Sequence, residues 1–312
     1  MKLPIAYYDV IRLTRRMRPD VIFVANYHEV ILLWPLLIML RRKVVCHMHD
    51  PPPAILFQKL SFCLWRLAIG RFICISTNVR ERLSRLGNLS SRDMVLHNGV
   101  EVSGLTLPRR RSDRLCGQFG WPETVLVVGI TGQMSAHKGH EDVLEAFRLL
   151  TQECANLRLV IGGKQQEPFF SHLQRRLERD GIRTLVGFAG WLSRSQDFFE
   201  AIDIFVMASR HEEGFGLVVA EAGERAVPVV CTRSGGAVEV ILDGQSGILV
   251  DKNNPGEMAA AIKRLARNSQ LRMEMGEAGR RIVLQHFNLD DQARELARLL
   301  ADREVRVRDG RF

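Results

Sequence analysis

Short runs of aliphatic and β-branched residues alternate with helix-length segments along most of the chain, and this alternation constrains the fold more than any other feature. Strands that are separated by helices pair in parallel, because each helix carries the chain back along the sheet. The pattern therefore predicts an α/β protein with doubly wound parallel sheets. The predicted strands lie at 21–25, 43–50, 71–76 and 94–97 in the first half, and near 125–130, 157–161, 184–188, 203–207, 228–231 and 248–250 in the second.

The length of 312 residues allows two domains, each with its own core. A polar, basic stretch from Ser103 to Gly117 contains Pro108 and separates the two series of strands, so we place the linker there. We predict an N-terminal Rossmann-like domain at 1–112, a second domain at 113–288 and a final helix within 289–312. Two consecutive doubly wound domains leave a cleft between them, where one ligand can be held by each.

Positive charge is concentrated in the first domain. Residues 1–112 hold 18 Lys and Arg against 7 Asp and Glu, whereas the whole chain has a net charge of +9. Basic clusters of this kind suit an anionic membrane surface or a phosphate-bearing acceptor, although solvated helix faces explain them equally well. We expect no nucleic acid among the partners. The clusters are Arg12/Arg15/Arg16/Arg18, 41–43 and 109–111.

The cysteines and the apolar segments indicate a protein of a reducing compartment. Six cysteines show no Cys-x-x-Cys pair and no disulfide-framework spacing, so we expect buried free thiols. No signal peptide is predicted, since the first ten residues contain Asp9 and no sustained apolar core. The longest apolar run, 30–40, contains Pro35 and is too short to span a bilayer. We expect a cytoplasmic protein, and peripheral association with the inner face of a membrane stays open as an alternative.

The segment from His211 to Glu221 carries the strongest indication of a ligand site. Glu213 and Glu221 lie on either side of a Gly-x-Gly turn that opens an apolar helix. A carboxylate inside such a helix needs a partner, and a vicinal diol such as a ribose is one, whereas a pair with Arg225 is the alternative. Glycines at 214 and 216 let a ligand approach the amides of the helix N-terminus, where the dipole favours phosphate.

Two further segments repeat the order of strand, glycine turn and helix start. Gly132-Gln-Met-Ser-Ala-His-Lys138-Gly139 follows the strand near 125–130, and Ser234-Gly235-Gly236 follows the strand near 228–231. Loops of this kind meet at the carboxyl ends of a parallel sheet, where they form phosphate sites. Lys138 as a merely solvated helix-start residue is the alternative.

With these motifs the chain resembles the retaining family-4 (group 1) glycosyltransferases of the GT-B fold. The resemblance covers about residues 20–290. It implies two Rossmann-like domains facing a cleft, with the last helix crossing back to the first domain. The first domain is about one βαβ unit short by this comparison, because only about 18 residues precede Pro19-Asp20. The matching pieces are Gly132–Gly139, Glu213-Gly-Phe-Gly with Glu221, Pro228-Val-Val, Gly235-Gly236 with Glu239, and Asp243-Gly-x-x-Gly247.

The resemblance also implies roles for individual residues. Glu213 contacts the donor sugar, Glu221 holds the nucleotide ribose, and His49 lies near the reacting sugar. Three alternatives for the histidines and Trp191 remain: a His49–Asp50 hydrogen bond, a metal pair of His47 and His49, and core packing of Trp191. The catalytic candidates are His49 and Glu213, and the donor-binding candidates are Gly132, Gln133, Lys138, Gly214, Phe215, Gly216, Leu217, Glu221 and Trp191.

The expected reaction is metal-independent transfer, with retention, from a nucleotide-diphosphate sugar to a glycan or lipid-linked acceptor. No two aspartates lie two residues apart, so an Asp-x-Asp metal pair is missing and no cofactor is expected. Lys138 and the helix N-termini are expected to stabilise the diphosphate, because Gln133 replaces an Arg that is common in the family. The alternatives are a non-catalytic subunit that binds a nucleotide sugar, and an epimerase or hydrolase on the same fold.

Overall fold

A computed structural model describes residues 3–39, 44–50, 58–104 and 111–301, and the chain divides into two compact units. The first unit combines Met1–Asn98 with Asp290–Phe312, and the second is Gly99–Leu289. The division at 98/99 precedes the predicted linker, of which residues 105–110 lie outside the described part. Each unit contains a parallel sheet with helices, so the predicted α/β fold class is confirmed.

The first unit has a sheet of four parallel strands among its described residues, in the order β1-β2-β3-β4. β2 is buried throughout, and Val45 packs with Ile73, Leu96 and Leu299. Leu299 belongs to the last helix, α12, which therefore completes the core of the unit that begins the chain. The elements are α1 Leu3–Met17, β1 Ile22–Val24, α2 Tyr27–Met39, β2 Val44–Met48, α3 Gln58–Ala68, β3 Arg71–Cys74, α4 Thr77–Ser84, β4 Met94–Val95 and α12 Leu289–Ala301.

The described part of the second unit has six parallel strands in the order β10-β9-β8-β5-β6-β7. The chain leaves β5 toward β6 and β7, and then returns to place β8 on the other side of β5. The strand order thus reverses between β5 and β8, where open α/β sheets bind their ligands. The elements are α5 Arg114–Phe119, β5 Leu126–Thr131, α6 His140–Leu150, β6 Leu157–Gly162, α7 Phe169–Arg179, β7 Val186–Gly190, α8 Ser195–Glu200, β8 Ile204–Met207, α9 Leu217–Glu224, β9 Val229–Thr232, β10 Gly247–Val250, α10 Pro255–Arg267 and α11 Ser269–His286.

Local sequence accounts for where the helices of the second unit begin. The Asn254 side chain accepts a hydrogen bond from the Glu257 amide at 3.1 Å, and Asn268 accepts one from the Leu271 amide at 2.9 Å. These caps start α10 and α11 and separate them, because the first amides of a helix lack partners within it. β7 begins two residues later than predicted, since 183–185 form a 3-10 turn.

The environments of the cysteines and the polarity of the helices bear on two predictions made from the sequence. Five of the six free cysteines are buried, whereas Cys63 is exposed, so the prediction of buried thiols is wrong at that position. Across the described ranges, the helices are all too short or too polar to cross a bilayer.

Candidate functional site

Two loops meet where the strand order reverses. The loop after β5 runs from Gly132 to Gly139, and the loop after β8 runs from Ala208 to Gly216. The Arg210 amide donates to the His137 carbonyl at 2.8 Å and joins them. Gly139 has φ +70°, and a Cβ there would lie 1.9 Å from the Ala208 carbonyl oxygen, so the loops approach this closely only because position 139 is glycine.

This junction brings Lys138 and Glu213 together, 75 positions apart in sequence. The Lys138 Nζ lies 2.7 Å from Glu213 Oε1, and both side chains keep partial access to solvent. Ser209 Oγ donates a hydrogen bond of 2.5 Å to the same carboxylate oxygen. The arrangement supplies an ammonium for an anion and a carboxylate for hydroxyl groups at one point of the surface.

The third glycine turn, Ser234 to Gly236, supports the backbone of Glu213. The Gly236 amide donates to the Glu213 carbonyl at 2.8 Å, and the Glu213 amide donates to Ser234 Oγ at 3.3 Å. Gly235 has φ +53°, and a Cβ there would lie 2.2 Å from the Glu213 carbonyl oxygen. Since the Gly236 amide is already engaged and 235–240 form a 3-10 helix, this turn holds Glu213 in place in the structure.

Glu221 lies in the second turn of α9, and Gly216 precedes that helix with φ +90°. Ser195 Oγ donates to Glu221 Oε1 at 3.2 Å, and burial raises the pKa of this carboxyl although the Ser195 hydrogen bond opposes the shift. The alternative pair of Glu221 with Arg225 is wrong, because Arg225 binds Glu200 at 2.8 Å and Glu224 at 2.9 Å. Glu221 thus has no basic partner in the described part of its surroundings, and it retains capacity to accept hydroxyl donors.

The remaining donor-binding candidates differ in how exposed their side chains are and in whether other protein groups already bind them. Gln133 donates to Gln166 Oε1 at 2.7 Å, so the two amides hold each other. Phe215 is buried, and its ring packs edge-on to Phe287 with 5.4 Å between the ring centroids, so its side chain is enclosed by protein. Trp191 is 77% exposed, so its interpretation as core packing is wrong.

The glycines and Leu217 complete the predicted set. Gly132 has φ +144°. A Cβ at Gly163 would lie 1.9 Å from the Gly132 carbonyl oxygen, so the loops after β5 and β6 approach this closely only because position 163 is glycine. Gly214 is half-buried, and Leu217, the first residue of α9, is 43% exposed. The start of α9 is therefore accessible at its first turn.

His49 belongs to the first unit and follows β2 directly. Its ring lies 4.3 Å from the His47 ring in an edge-on arrangement. Burial, with His49 adding to it, lowers the pKa of His47 to about 4. Within the described residues, no three His, Cys, Asp or Glu side chains are arranged to hold a metal ion.

Sequence reasoning missed several residues that shape this site. Arg210 forms a bidentate ion pair with Asp142 on α6, with hydrogen bonds of 2.6 and 2.7 Å, and this pair fixes the loop after β8 to that helix. Ser209 could have been found from its place directly after β8. No local pattern indicates Ser195, because its contact with Glu221 joins two different helices.

Comparison with known proteins gives two family matches. The family described as "Glycosyl transferases group 1" matches residues 113–282, and the family described as "Glycosyltransferase Family 4" matches residues 2–103. The former covers more than half of the chain.

Individual relatives agree with the family matches. Lipopolysaccharide core biosynthesis glycosyltransferase LpsE of Rhizobium meliloti is 27% identical over 74% of this chain and 64% of its own length. D-inositol 3-phosphate glycosyltransferase of Corynebacterium jeikeium is 31% identical over 54% of this chain and 42% of its own length. The chain thus spans less than two thirds of either protein. Anabaena Alr3699/HepE, crystallised with UDP, superposes with a TM-score of 0.84 at 21% identity, over 95% of this chain and 81% of that one, and it was also crystallised with UDP-glucose.

Proposed function

The chain belongs to the group 1 glycosyltransferases, and on that premise we propose that it transfers a sugar from a nucleotide-diphosphate sugar to a glycan or lipid-linked acceptor. The observation that carries the proposal is the Lys138–Glu213 pair at the reversal of strand order. A departing nucleoside diphosphate needs a positive group, and a sugar needs acceptors for its hydroxyls. The pair supplies one of each on two loops that are fastened to one another.

The nucleotide is proposed to lie against α9. Glu221 accepts hydrogen bonds from the two ribose hydroxyls. Its half-buried carboxylate has only Ser195 as a hydrogen-bond partner among the described residues, and a diol would supply the missing donors. The amides of Phe215, Gly216 and Leu217 face the sugar or the phosphates at the start of the helix, where the dipole favours negative charge. Alr3699/HepE binds UDP and UDP-glucose, which supports a donor of this class.

The leaving diphosphate is proposed to be stabilised by Lys138 and peptide dipoles, without a metal. Support comes from the position of Lys138 in the loop after β5 and from the lack of an Asp-x-Asp pair in the sequence. Fixed donors of this kind act in the transition state without reorganising. Gln133 and the backbone of Gly132 and Gly214 complete the proposed donor loop, and Trp191 borders the proposed base site.

The transfer is proposed to retain the configuration of the sugar. The bond from the anomeric carbon to the phosphate oxygen breaks, the acceptor hydroxyl oxygen bonds to the same face, and the leaving phosphate takes the hydroxyl proton. Glu213 orients the sugar through its hydroxyl groups, and His49 of the first unit is proposed to stabilise positive charge at the anomeric centre. Both roles follow from the family resemblance.

A membrane-bound acceptor is proposed because of the surface of α1. Tyr8, Leu13 and Met17 are exposed large side chains on this helix, and Arg12 and Arg16 are exposed between them. A helix that combines exposed apolar and basic side chains suits the surface of an anionic membrane. Binding of the protein to vesicles with and without anionic lipid tests this part of the proposal.

Calorimetry with UDP, GDP and ADP tests the donor site. Binding of one nucleotide is expected, and it should weaken when Glu221 is changed to Ala, since the ribose loses its acceptor. No binding by any of the three at millimolar concentration would remove the proposal together with the non-catalytic alternative.

Product analysis with donor and acceptor then separates transfer from hydrolysis, epimerisation or mere binding. Glu213→Gln is expected to abolish transfer. Glu212→Gln is the matched control, because Glu212 adjoins Glu213 but is paired with Lys252 on the surface. Equal turnover of the two variants would remove Glu213 from the mechanism.

A further inference from the structure

Two histidines lie in the same pair of loops as Lys138 and Glu213. His137 precedes Lys138 in the loop after β5, and His211 lies two residues before Glu213 in the loop after β8. Their ring centroids are 5.3 Å apart in an edge-on arrangement. The His137 ring also lies within 3.3 Å of Ser135 Oγ, and its carbonyl accepts the Arg210 amide, so its place in the loop is well defined.

The cations of these loops are already engaged by carboxylates. Lys138 is paired with Glu213, and Arg210 is held by Asp142 through two hydrogen bonds. A sugar diphosphate brings two negative charges, and the Lys138–Glu213 pair has no net charge to offset them. An imidazole becomes a cation when it binds a proton, and the His137 ring lies in the same loops as this pair.

We propose that His137 and His211 bind the diphosphate beside Lys138 and that the donor binds together with a proton taken up by His137. The inference rests on the proposed function and names two binding residues for it. The His137 imidazolium would donate an N–H to one phosphate oxygen, a charge-assisted hydrogen bond that is stronger than one between neutral groups, and the His211 ring would donate an N–H to another.

The charges around His137 give the direction of the coupling. Burial lowers the pKa of His137, Lys138 and His211 lower it further, and Glu213 opposes them; His140 is a further neighbour that senses the His137 charge. A bound dianion raises this pKa, because an opposite charge favours the imidazolium. Between the pKa of the free protein and that of the complex, binding takes up protons, so affinity increases as pH falls through that interval.

The experiment is calorimetry with an intact sugar donor in buffers of different ionisation enthalpy. UDP-glucose, GDP-mannose and ADP-glucose are tried first, and the one that binds is used. Intact donors are required, because the terminal phosphate of a free nucleoside diphosphate titrates itself at a pKa of about 6. The wild-type protein is expected to take up a fraction of a proton per donor in the interval between the two pKa values of His137.

His137→Gln should remove the proton uptake. His137→Gln and His211→Gln should each weaken binding about tenfold at pH 6. His286→Gln is the control, since His286 is exposed at the end of α11. His211 is also exposed, so its variant is expected to fold even if the one at His137 does not.

Zero uptake in the wild-type protein, unchanged uptake in His137→Gln, or unchanged affinity in His211→Gln would overturn the histidine assignment while donor binding stands. Failure of all three donors to bind would instead remove the proposed function.

Discussion

Arg280→Met is expected to destabilise the second unit severely, because it breaks a buried ion pair at the end of the helix that carries Glu221. Arg280 binds the Glu224 carboxylate at 2.7 Å and the Ser103 carbonyl at 2.9 Å, and it also donates to the Glu224 carbonyl. Glu224 is 2% exposed and accepts two further bonds from Ser103, at 2.6 and 2.8 Å. The network ties the segment after Gly99 to α9 and α11.

The magnitude follows from what each variant leaves behind. After Arg280→Met, Glu224 keeps Ser103 and Arg225, so we expect a loss of about 3 kcal/mol, the lower end for a buried pair with one partner removed. After Glu224→Gln, Arg280 keeps only carbonyl partners among its described hydrogen bonds, and the expected loss is about 3–5 kcal/mol. Either value is a large fraction of the stability of a domain.

Urea denaturation followed by circular dichroism measures these losses. Tryptophan fluorescence reports both units, the first through Trp34 and Trp65 and the second through Trp121 and Trp191. Hydrogen exchange of α9 and α11 shows whether the loss is local. Arg267→Met is the matched control, because Arg267 is 57% exposed and its pair with Glu153 should contribute about 1 kcal/mol or less. A loss for Arg280→Met no larger than that of the control would refute the reasoning.

The pH dependence provides a second check on this network. Burial alone would raise the pKa of Glu224, but the hydrogen bonds from Ser103 and Arg280 outweigh it and the pKa is lowered. A carboxyl with a lowered pKa contributes its stability above the ordinary value of 4.5, and this stability is lost as pH falls through the folded pKa. The difference between the wild-type protein and Arg280→Met should therefore narrow in acid.

Three further predictions concern the donor loops. Gly139→Ala should abolish nucleotide binding in calorimetry, because its Cβ would clash with the Ala208 carbonyl. Gly181→Ala is the control: at φ +67° with open space around it, it should cost only about 1 kcal/mol of backbone strain and leave binding intact. Equal effects of the two variants on binding would contradict the clash at Gly139. Ser195→Ala removes the hydrogen bond that opposes the raised pKa of Glu221, so this pKa should rise further. The loss of donor affinity in acid should then begin at a higher pH than in the wild-type protein. An unchanged onset would mean that Glu221 does not bind the donor as a carboxylate. Burial chiefly lowers the pKa of His140 to about 4, so the unfolded state binds more protons than the folded state below pH 6.5. The free energy of unfolding should therefore fall by about 1.4 kcal/mol per pH unit from pH 6.5 downward, and His140→Leu should lose this dependence in denaturation series. Parallel plots of the free energy of unfolding against pH for the two proteins would refute it.

Local sequence predicted the elements of the second unit within one or two residues at most places. Alternating strand and helix patterns, glycine turns and asparagine caps act over a few residues, so they can be read without knowing the fold. The largest shift among the strands of the second unit, two residues, is at β7, because the 3-10 turn at 183–185 resembles the start of a strand in its composition. The exposed Cys63 and Trp191 show the same limit, since an apolar residue type does not state which side of an element it occupies.

The sequence by itself determined that two series of parallel strands exist and that Lys138, Glu213 and Glu221 lie beside glycine turns that follow strands. Only the tertiary structure decided that Lys138 meets Glu213, that Arg225 turns to Glu200 and Glu224, and that α12 joins the unit at the opposite end of the chain. The physical reason is the range of the interactions. Turn and cap preferences depend on neighbours along the chain, whereas ion pairs and core contacts depend on which strands lie side by side after the order reverses between β5 and β8.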